Sequence, residues 1–456
     1  MRLAFKFAIV FFLTLAILVP LAMIRGTISE RQEFRQQAVQ EVTRSYAGTQ
    51  RLAGPVLVVP YTEIVEVEER DDHGRLLGRK KQDGDSGQWL FFPKTMQLQG
   101  RVLPTIRKLG LHEVRVYELQ GTLDAAFDAQ LPKEDPAHPR RLGTPWIDVG
   151  IGDVRGLVRA PTLRVAGRDI PMLQGQLAHG GGGVHAMLPD GIDADGHIAF
   201  PLRLAFALNG TEQLAVVPLA DDNRIALDSP WPHPQFNGDF LPRTHRIDAS
   251  GFHAEWEVSS LASNAQAQYR AGGDAMKAKP GALRASGIES ATEDASPGLD
   301  AIGLSLVEPV NLYSKVDRAT KYGLLFVLLT FTGFFMLETI KQLPIHPIQY
   351  ALVGLALAIF FLLLLSLSEH IAFGWAYLAA AIACVGLIGF YLGHVLRSRL
   401  RGIGFAAMLG LLYAALYGLL VSEDNALVIG AGLLFAILTA IMVATRKVDW
   451  YQVSVR

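Results

Sequence analysis

His346-Pro347-Ile348-Gln349-Tyr350 opens a run, Ala351 to Leu365, that carries no charge and closes at Ser366-Leu367-Ser368-Glu369-His370. An apolar stretch of that length between two polar marks reads as a membrane-spanning helix. With Tyr350 to Leu367 taken as its apolar part, five more runs have the same character: Phe7 to Ile24, Tyr322 to Thr339, Ile371 to Tyr391, Ile403 to Val421 and Ala426 to Thr445. Each holds about 18 to 21 residues, enough at 1.5 Å per residue to cross a hydrocarbon core about 30 Å thick. The first is long for the apolar core of a signal peptide, and Pro20 to Ile24 lacks a small-x-small cleavage site, so an uncleaved anchor is expected.

Composition agrees. Hydrophobic residues make up 50% of the 456 and charged residues 19%, and the mean hydropathy is +0.26, high for a soluble globular chain. A formal net charge of -1 says little about partners. No basic stripe with interleaved aromatics is present, which speaks against nucleic acid. The single cysteine, Cys384, lies in an apolar run, so neither a disulfide framework nor a cysteine metal site can be built.

Short loops set the expected orientation. With the N-terminus cytoplasmic, the segments after the second, fourth and sixth runs carry Lys341, Arg397, Arg399, Arg401, Arg446, Lys447 and Arg456. The opposite loops carry Glu369 and Glu423-Asp424 and no Lys or Arg. Arg25, Arg31, Arg35, Lys315, Arg318 and Lys321 go against this bias. They flank a long segment, however, and long domains are translocated largely regardless of charge.

Between the first and second runs the pattern changes twice. Ile28 to Gly48 is polar, with Phe34, Val39, Val42 and Tyr46 near helical spacing, and predicts a continuation of the first helix as a stalk. From Gly54 onward come short alternating, β-branched runs: Pro55 to Tyr61, Ile64 to Val67, Leu111 to Leu119, Gly121 to Phe127, Trp146 to Val149, Thr162 to Val165, Ile198 to Leu208, Gln213 to Val217, Arg224 to Leu227 and Phe252 to Val258. Close turn signals favour an antiparallel sandwich, or a pair of them, over a parallel sheet. Asp71 to Gly87 reads as a charged hairpin tip, and Ala271 to Leu299 as a disordered loop or linker.

The expectation is therefore an α+β membrane protein. Residues 1–27 form an N-terminal transmembrane anchor, 28–53 a stalk helix, and 54–270 a large periplasmic β-rich, sandwich-like domain. A flexible linker and return segment occupies 271–320, a five-helix transmembrane bundle 321–447 and a cytoplasmic tail 448–456.

Few residues suggest chemistry. His253, Glu255 and Glu257 alternate with Phe252, Ala254, Trp256 and Val258, so on a strand the three polar side chains share a face that could bind a metal or exchange protons. Any half-exposed strand with Trp256 inward shows the same alternation. His179-Gly180-Gly181-Gly182-Gly183-Val184-His185 lacks the Lys-Ser/Thr and the helix start of a phosphate loop and reads as a turn. No Gly-x-Ser-x-Gly, His-Glu-x-x-His or Cys-x-x-Cys occurs, so the serine-hydrolase, zinc-protease and thiol-redox readings lose their support.

Glu338 is the one acid inside an expected span, and an intramembrane acid is a functional candidate by default. It also lies within a turn of the end, beside Lys341, where an interfacial ion pair would account for it. Glu369 and His370 fall at an outer turn. Gly389-x-x-x-Gly393, with Ala379, Ala383 and Gly386, fits close helix packing. Trp231-Pro232-His233-Pro234 is a surface turn that carries the candidates Trp231 and His233, and its Trp between prolines is either a packed anchor or an exposed contact. No catalytic, cofactor-binding or metal-ligating residue is assigned.

Three membrane stretches, Lys321 to Phe331, His346 to Leu357 and Leu362 to Ile371, resemble the CreD-type inner-membrane proteins of Gram-negative bacteria, the cell envelope integrity proteins. In the outer region Gln50 to Tyr61, Ser229 to Pro242 and Gly251 to Trp256 are similar to them as well, and the likeness covers nearly the whole chain. It departs in Asp71 to Gly87, Gly175 to Gly196 and Ala271 to Leu299, all read above as loops or turns. The resemblance implies an inner-membrane protein whose level is set by a two-component response and whose abundance alters envelope integrity and tolerance of envelope-directed agents. It implies no reaction, cofactor or catalytic residue.

Two functions then compete. One is a non-enzymatic envelope protein whose partners are the lipid bilayer and another envelope component. The other is a carrier or enzyme acting on a cell-wall or lipid precursor, with Glu338 or the His253 strand as its working group.

Overall fold

The computed structural model describes residues 2–70, 76–110, 112–133, 135–136, 139–175, 178, 182–188, 196–272, 298–306, 312–341, 345–395, 398–421 and 426–446. They form two compact units, Gln37–Pro309 and Met1–Gln36 with Val310–Arg456.

The first unit is built of strands β1 (Gln50–Arg70), β2 (Leu76–Phe91), β3 (Thr95–Leu109), β4 (His112–Gln130), β5 (Arg140–Leu142), β6 (Trp146–Ile151), β7 (Thr162–Val165), β8 (Arg168–Ile170), β9 (Leu173–Gln174), β10 (Gly183–Met187), β11 (His197–Thr211), β12 (Gln213–Val217), β13 (Asp222–Ser229), β14 (Gln235–Gly238), β15 (Thr244–Asp248), β16 (Gly251–Ser259) and β17 (Ile302–Ser305). One sheet runs β14-β17-β12-β1-β6-β10-β9, with β2 and β5 also on β1; the other runs β15-β16-β13-β3-β4-β11-β7-β8. Pairing is antiparallel except β1 with β12 and β13 with β3. Residues from both sheets, among them Leu57, Val59, Leu98, Leu119, Ile225 and Trp256, share one buried core, as in a β-sandwich.

β1 explains why its sequence reads as an unbroken apolar run. Leu57 and Val59 enter the inter-sheet core, whereas Val56 and Val58 face a second cluster containing Tyr269 of α2 (Ala265–Arg270). A strand covered on both faces has no polar side to show. The solvent-facing sheet is different. β13 and β16 alternate residue by residue, with Ile225, Leu227, Ala254 and Trp256 inside and Arg224, Asp228, Glu255 and Glu257 outside.

Several expected boundaries shift. β1 starts at Gln50, ahead of Gly54, because Gln50 to Ala53 pair with β12. The two runs expected across Leu111 to Phe127 are one strand, β4, running through Gly121, where a β-carbon would lie 2.5 Å from the Phe206 ring. The charged tip is shorter than Asp71 to Gly87, since Arg70 already pairs with Leu76 and the ladder continues to Leu57 and Phe91. Residues 71–75 and 273–297 lie outside those described, and with them most of the expected linker. Its end does not fit that expectation. Leu299 is fully buried, and β17 sits between β12 and β14, a four-residue strand too short to stand out by period.

The second unit is helical. Helix α1 runs from Arg2 to Ser45 without a break, so anchor and stalk are one element, and its residues 37–45 belong to the β-rich unit. There Ala38 and Val42 pack on Val114 and Val116 of β4. The remaining helices are α3 (Leu312–Lys321), α4 (Gly323–Lys341), α5 (Pro347–Ser368), α6 (Phe373–Val395), α7 (Arg399–Val421) and α8 (Ala426–Thr445). Among the described residues four helices are long and apolar enough to span a membrane: Ala8–Ser45, α5, α6 and α7. A fifth span arises if α3 and α4, bent by 41° at Tyr322, count as one. α8 adds a helix of 20 residues without a charge. The second expected span thus has an amphipathic helix joined to its start. Tyr313, Val316, Ala319 and Thr320 are its buried side, and Arg318 and Lys321 are exposed.

The motif at 346–350 is a helix start. His346 is the N-cap of α5 and accepts from Ile348 N through Nδ1 at 3.3 Å, while its own N–H donates to Gln349 Oε1 at 3.1 Å, a capping box with Pro347 behind the cap. Close approach of α1 to α5 occurs at Gly354, where a β-carbon would lie 2.8 Å from Ile17 Cγ1. α6 meets α7 at glycines. A β-carbon on Gly402 would lie 2.6 Å from Gly393 Cα, and one on Gly389 would lie 2.8 Å from Ala406 Cβ, which gives Gly389 and Gly393 the packing role expected of them.

Candidate functional site

The outward face of the eight-stranded sheet collects the polar side chains of five neighbouring strands. The registers pair Gln120 with Arg101, Arg101 with Asp228, Asp228 with His253, and His253 with Arg246. One polar row therefore crosses β4, β3, β13, β16 and β15. Side chains directly opposite one another on a sheet stand close enough to interact. The row floors a cleft of about 650 Å³ whose rim includes Ser229, Pro230, Asp248 and Ser250.

His253 is the centre of this row. Its Nδ1 lies 2.8 Å from Asp228 Oδ1 and its Nε2 3.1 Å from Glu255 Oε1. Two carboxylates accepting from one imidazole favour the doubly protonated ring. The hydrogen bond to Asp228, then that to Glu255, raises the His253 pKa above its ordinary value. Glu255 is held below the usual carboxylate range by His253 and by the Thr244 hydroxyl 3.1 Å away. A histidine with both nitrogens engaged is a poor general base. Glu257, the third residue of the alternation, pairs with Arg243 and with Arg224 at 3.7 Å. Among the described residues no group of three His, Cys, Asp or Glu side chains is placed to hold a metal ion.

Trp231 lies next to this cleft and is half-buried against the sandwich core. The Arg115 guanidinium stacks 3.6 Å from its ring centre, and its indole N–H donates to His233 O at 2.8 Å. Arg115 in turn donates to Leu306 O at 2.8 Å, tying the turn to the end of β17. His233 is exposed, with its ring edge-on to the indole. His185 donates from Nδ1 to Gly175 O at 2.8 Å, while His179 to Gly181 lie outside the described residues.

The Lys341 side chain expected beside Glu338 in the helical unit is not among those described, but the acid is buried. It is 6% exposed and accepts from the Tyr350 hydroxyl at 2.8 Å, and Tyr350 packs on Phe331 and Phe334. The capped start of α5 sets Tyr350 against α4, so the acid points in among the helices. Glu369 lies elsewhere, at the end of α5, 3.6 Å from Arg31 Nε and 3.4 Å from the Tyr313 hydroxyl. His370 is exposed beside it. The candidates thus fall into three separate places. Asp228, Arg101, Arg246, Tyr350 and Arg115 were not singled out from the sequence because each is brought in by strand register or helix packing, which leaves no local signal.

The curated Inner membrane protein CreD of Escherichia coli (strain K12) is 35% identical over 451 residues, spanning 98% of this chain and 94% of that one. Among solved structures, an M1 zinc metallopeptidase from Deinococcus radiodurans overlaps 36% of this chain and 38% of its own at 11% identity and a TM-score of 0.21. A native leukotriene A4 hydrolase from Saccharomyces cerevisiae overlaps 37% of this chain and 27% of its own at 10% identity and the same TM-score of 0.21. Overlaps this slight bear on neither fold nor chemistry. The family described as Inner membrane protein CreD matches residues 2–451, and the chain belongs to that family of inner membrane proteins.

Proposed function

We propose that this protein supports cell envelope integrity and the response to envelope stress without catalysis, through contacts made by its β-rich unit on the periplasmic side. In this reading both termini are cytoplasmic and the chain crosses the membrane six times, with a five-helix bundle after the β-rich unit. The bias of basic residues in the short loops supports the orientation. The observation that carries the contact reading is the polar cleft along Gln120, Arg101, Asp228, His253 and Arg246. It is a shaped surface whose histidine and carboxylates are engaged with one another, suited to recognition more than to proton transfer.

The test is crosslinking and capture from membranes of cells overproducing the full chain, with Arg101→Glu and Arg246→Glu as variants. The expected result is a captured envelope component that is lost, with the overproduction phenotype, at normal protein abundance. An unchanged phenotype in both variants refutes the contact. Orientation is checked in a Cys384→Ala background. A single cysteine at exposed Thr244 should react with an impermeant reagent in intact spheroplasts, and one at Arg399 should not.

The buried Glu338–Tyr350 pair favours one second reading, a carrier acting on a lipid or cell-wall precursor. Under it, Glu338→Gln abolishes the phenotype at normal abundance while the cleft variants leave it intact.

A further inference from the structure

Helices α6 and α7 meet at glycines toward one end and through tyrosines toward the other. Gly389 and Gly402 approach their neighbours Ala406 and Gly393 so closely that a β-carbon added to either would lie within 3 Å of them. Toward the start of α6 the contact passes to side chains, with the Tyr377 hydroxyl donating to Tyr413 O at 2.7 Å. Nothing lies within 4 Å of where a β-carbon would sit on Gly386 or Gly410. Beside these contacts runs a groove of about 930 Å³ lined by Gly374, Trp375, Gly386, Gly410, Ala414 and Tyr417. From Gly374 to Gly386 it follows α6 for about 18 Å at 1.5 Å per residue. One leaflet of a hydrocarbon core about 30 Å thick is about 15 Å deep, so the groove has the reach of a single acyl chain. Trp375 and Tyr417 stand toward one end, the position aromatic side chains take at the membrane–water boundary.

At that same end lies a cation. Lys315 of α3 is half-buried, with its ammonium 5.7 Å from the centre of the Phe373 ring, and Phe373 directly precedes the groove residues Gly374 and Trp375. The neighbouring acids are committed elsewhere, Asp317 to Lys321 at 2.7 Å and Glu369 to Arg31. Among the described residues Lys315 makes no ion pair. A half-buried ammonium without a carboxylate, at the mouth of an apolar groove inside a bilayer, calls for an anionic headgroup above an aliphatic tail.

We infer that the groove between α6 and α7 holds one acyl chain of an anionic phospholipid, phosphatidylglycerol, whose phosphate is met by Lys315. The apolar walls select a chain and the lysine selects the charge. Selectivity over a zwitterionic lipid then comes from a single cation, whose attraction to anionic lipid corresponds to about fivefold.

The test is native mass spectrometry of the full chain in mild detergent, titrated with phosphatidylglycerol or phosphatidylcholine of equal chain length. The wild-type chain should bind phosphatidylglycerol about fivefold better. Lys315→Gln should bring the two lipids to parity. Gly386→Phe, which fills the groove where there is room for a side chain, should weaken both. Gly404→Phe, at another open glycine on an exposed position outside the groove, should change neither. Equal binding of both lipids by the wild-type chain, an undiminished preference in Lys315→Gln, or undiminished binding by Gly386→Phe overturns the assignment. Should Gly386→Phe fail to fold, phosphatidylglycerol with a photoreactive acyl chain decides on the wild-type chain. Labelling of residues 374–386 and 410–417 supports the site, and labelling elsewhere refutes it.

Discussion

The sandwich and the helices bury opposite kinds of residue. On β16, Trp256 and Ala254 are inside and Glu255 and Glu257 face out, whereas on α5 the exposed positions include Leu352, Leu355, Ile359 and Leu362. The carboxylate of Glu338 lies inside the helical unit. Water solvates the first unit, so charge costs little at its surface and apolar area drives its folding. Lipid tails are as apolar as leucine, so the helices gain by close packing and by satisfying the polar groups they enclose. The same side chain therefore has different worth in the two places. A surface carboxylate on β16 is replaceable, while an interior one on α4 has to be matched by a donor.

Substitutions that remove packing or pairing in each unit put this contrast to the test. The largest effect is expected at Trp256, fully enclosed in the sandwich core with Phe236 edge-on to its ring. Trp256→Ala should cost about 3–5 kcal/mol, seen as loss of full-length protein from membranes. Glu255→Ala on the same strand should leave abundance near normal, and equal loss in the two would break the inside–outside assignment of β16. Next comes Gly402→Leu at the glycine contact between α6 and α7. Forcing those helices apart should cost about 1–3 kcal/mol, read as a lower melting temperature in detergent, and Gly404→Leu serves as the lipid-facing control.

Tyr350→Phe removes a donor from buried Glu338 and should cost about 1–3 kcal/mol. Glu338→Gln should cost less, because an amide oxygen can still accept from the tyrosine. If the double variant is no better than Tyr350→Phe alone, the carboxylate is not what the tyrosine satisfies.

The smallest effect is at His253, an exposed pair worth less than about 1 kcal/mol. Its pKa is raised in the folded chain, so its contribution is full below the unfolded value of about 6.5 and fades as pH rises through the folded value. The matching contribution of Glu255, whose pKa is lowered, fades as pH falls through its folded value. His253→Gln should therefore lower thermal stability near pH 6 and make no difference near pH 9. A constant difference across that range would show that the ring acts through packing.

The strands that alternate or run unbroken between turn signals could be read from the chain, because burial on one face imposes period two and burial on two faces removes it. β17 and β14 could not, since four residues carry too little pattern; β12 supplies the pairing edge for β17, and β17 that for β14. The candidate site divides in the same way. His253 and Glu255 stood out by their spacing, but Asp228 is 25 residues away and reaches His253 through register alone. Trp231 stood out between prolines, and its half-buried anchoring by Arg115 comes from β4.

What the sequence by itself determined is the set of apolar runs, the polar stalk continuing the first of them, the β-rich character of the segment between, and the helix start at His346 to Tyr350. These follow from hydropathy, period and capping, which are local properties of neighbouring residues. What only the tertiary structure decided is which surfaces those elements share. It joined the two runs of β4 into one strand, laid five polar residues in a row across the sheet and turned Tyr350 onto Glu338. It also closed α6 on α7 at glycines and left a groove at their other end. Such placements depend on residues far apart in the chain, and one sequence carries no mark of which distant partner will arrive.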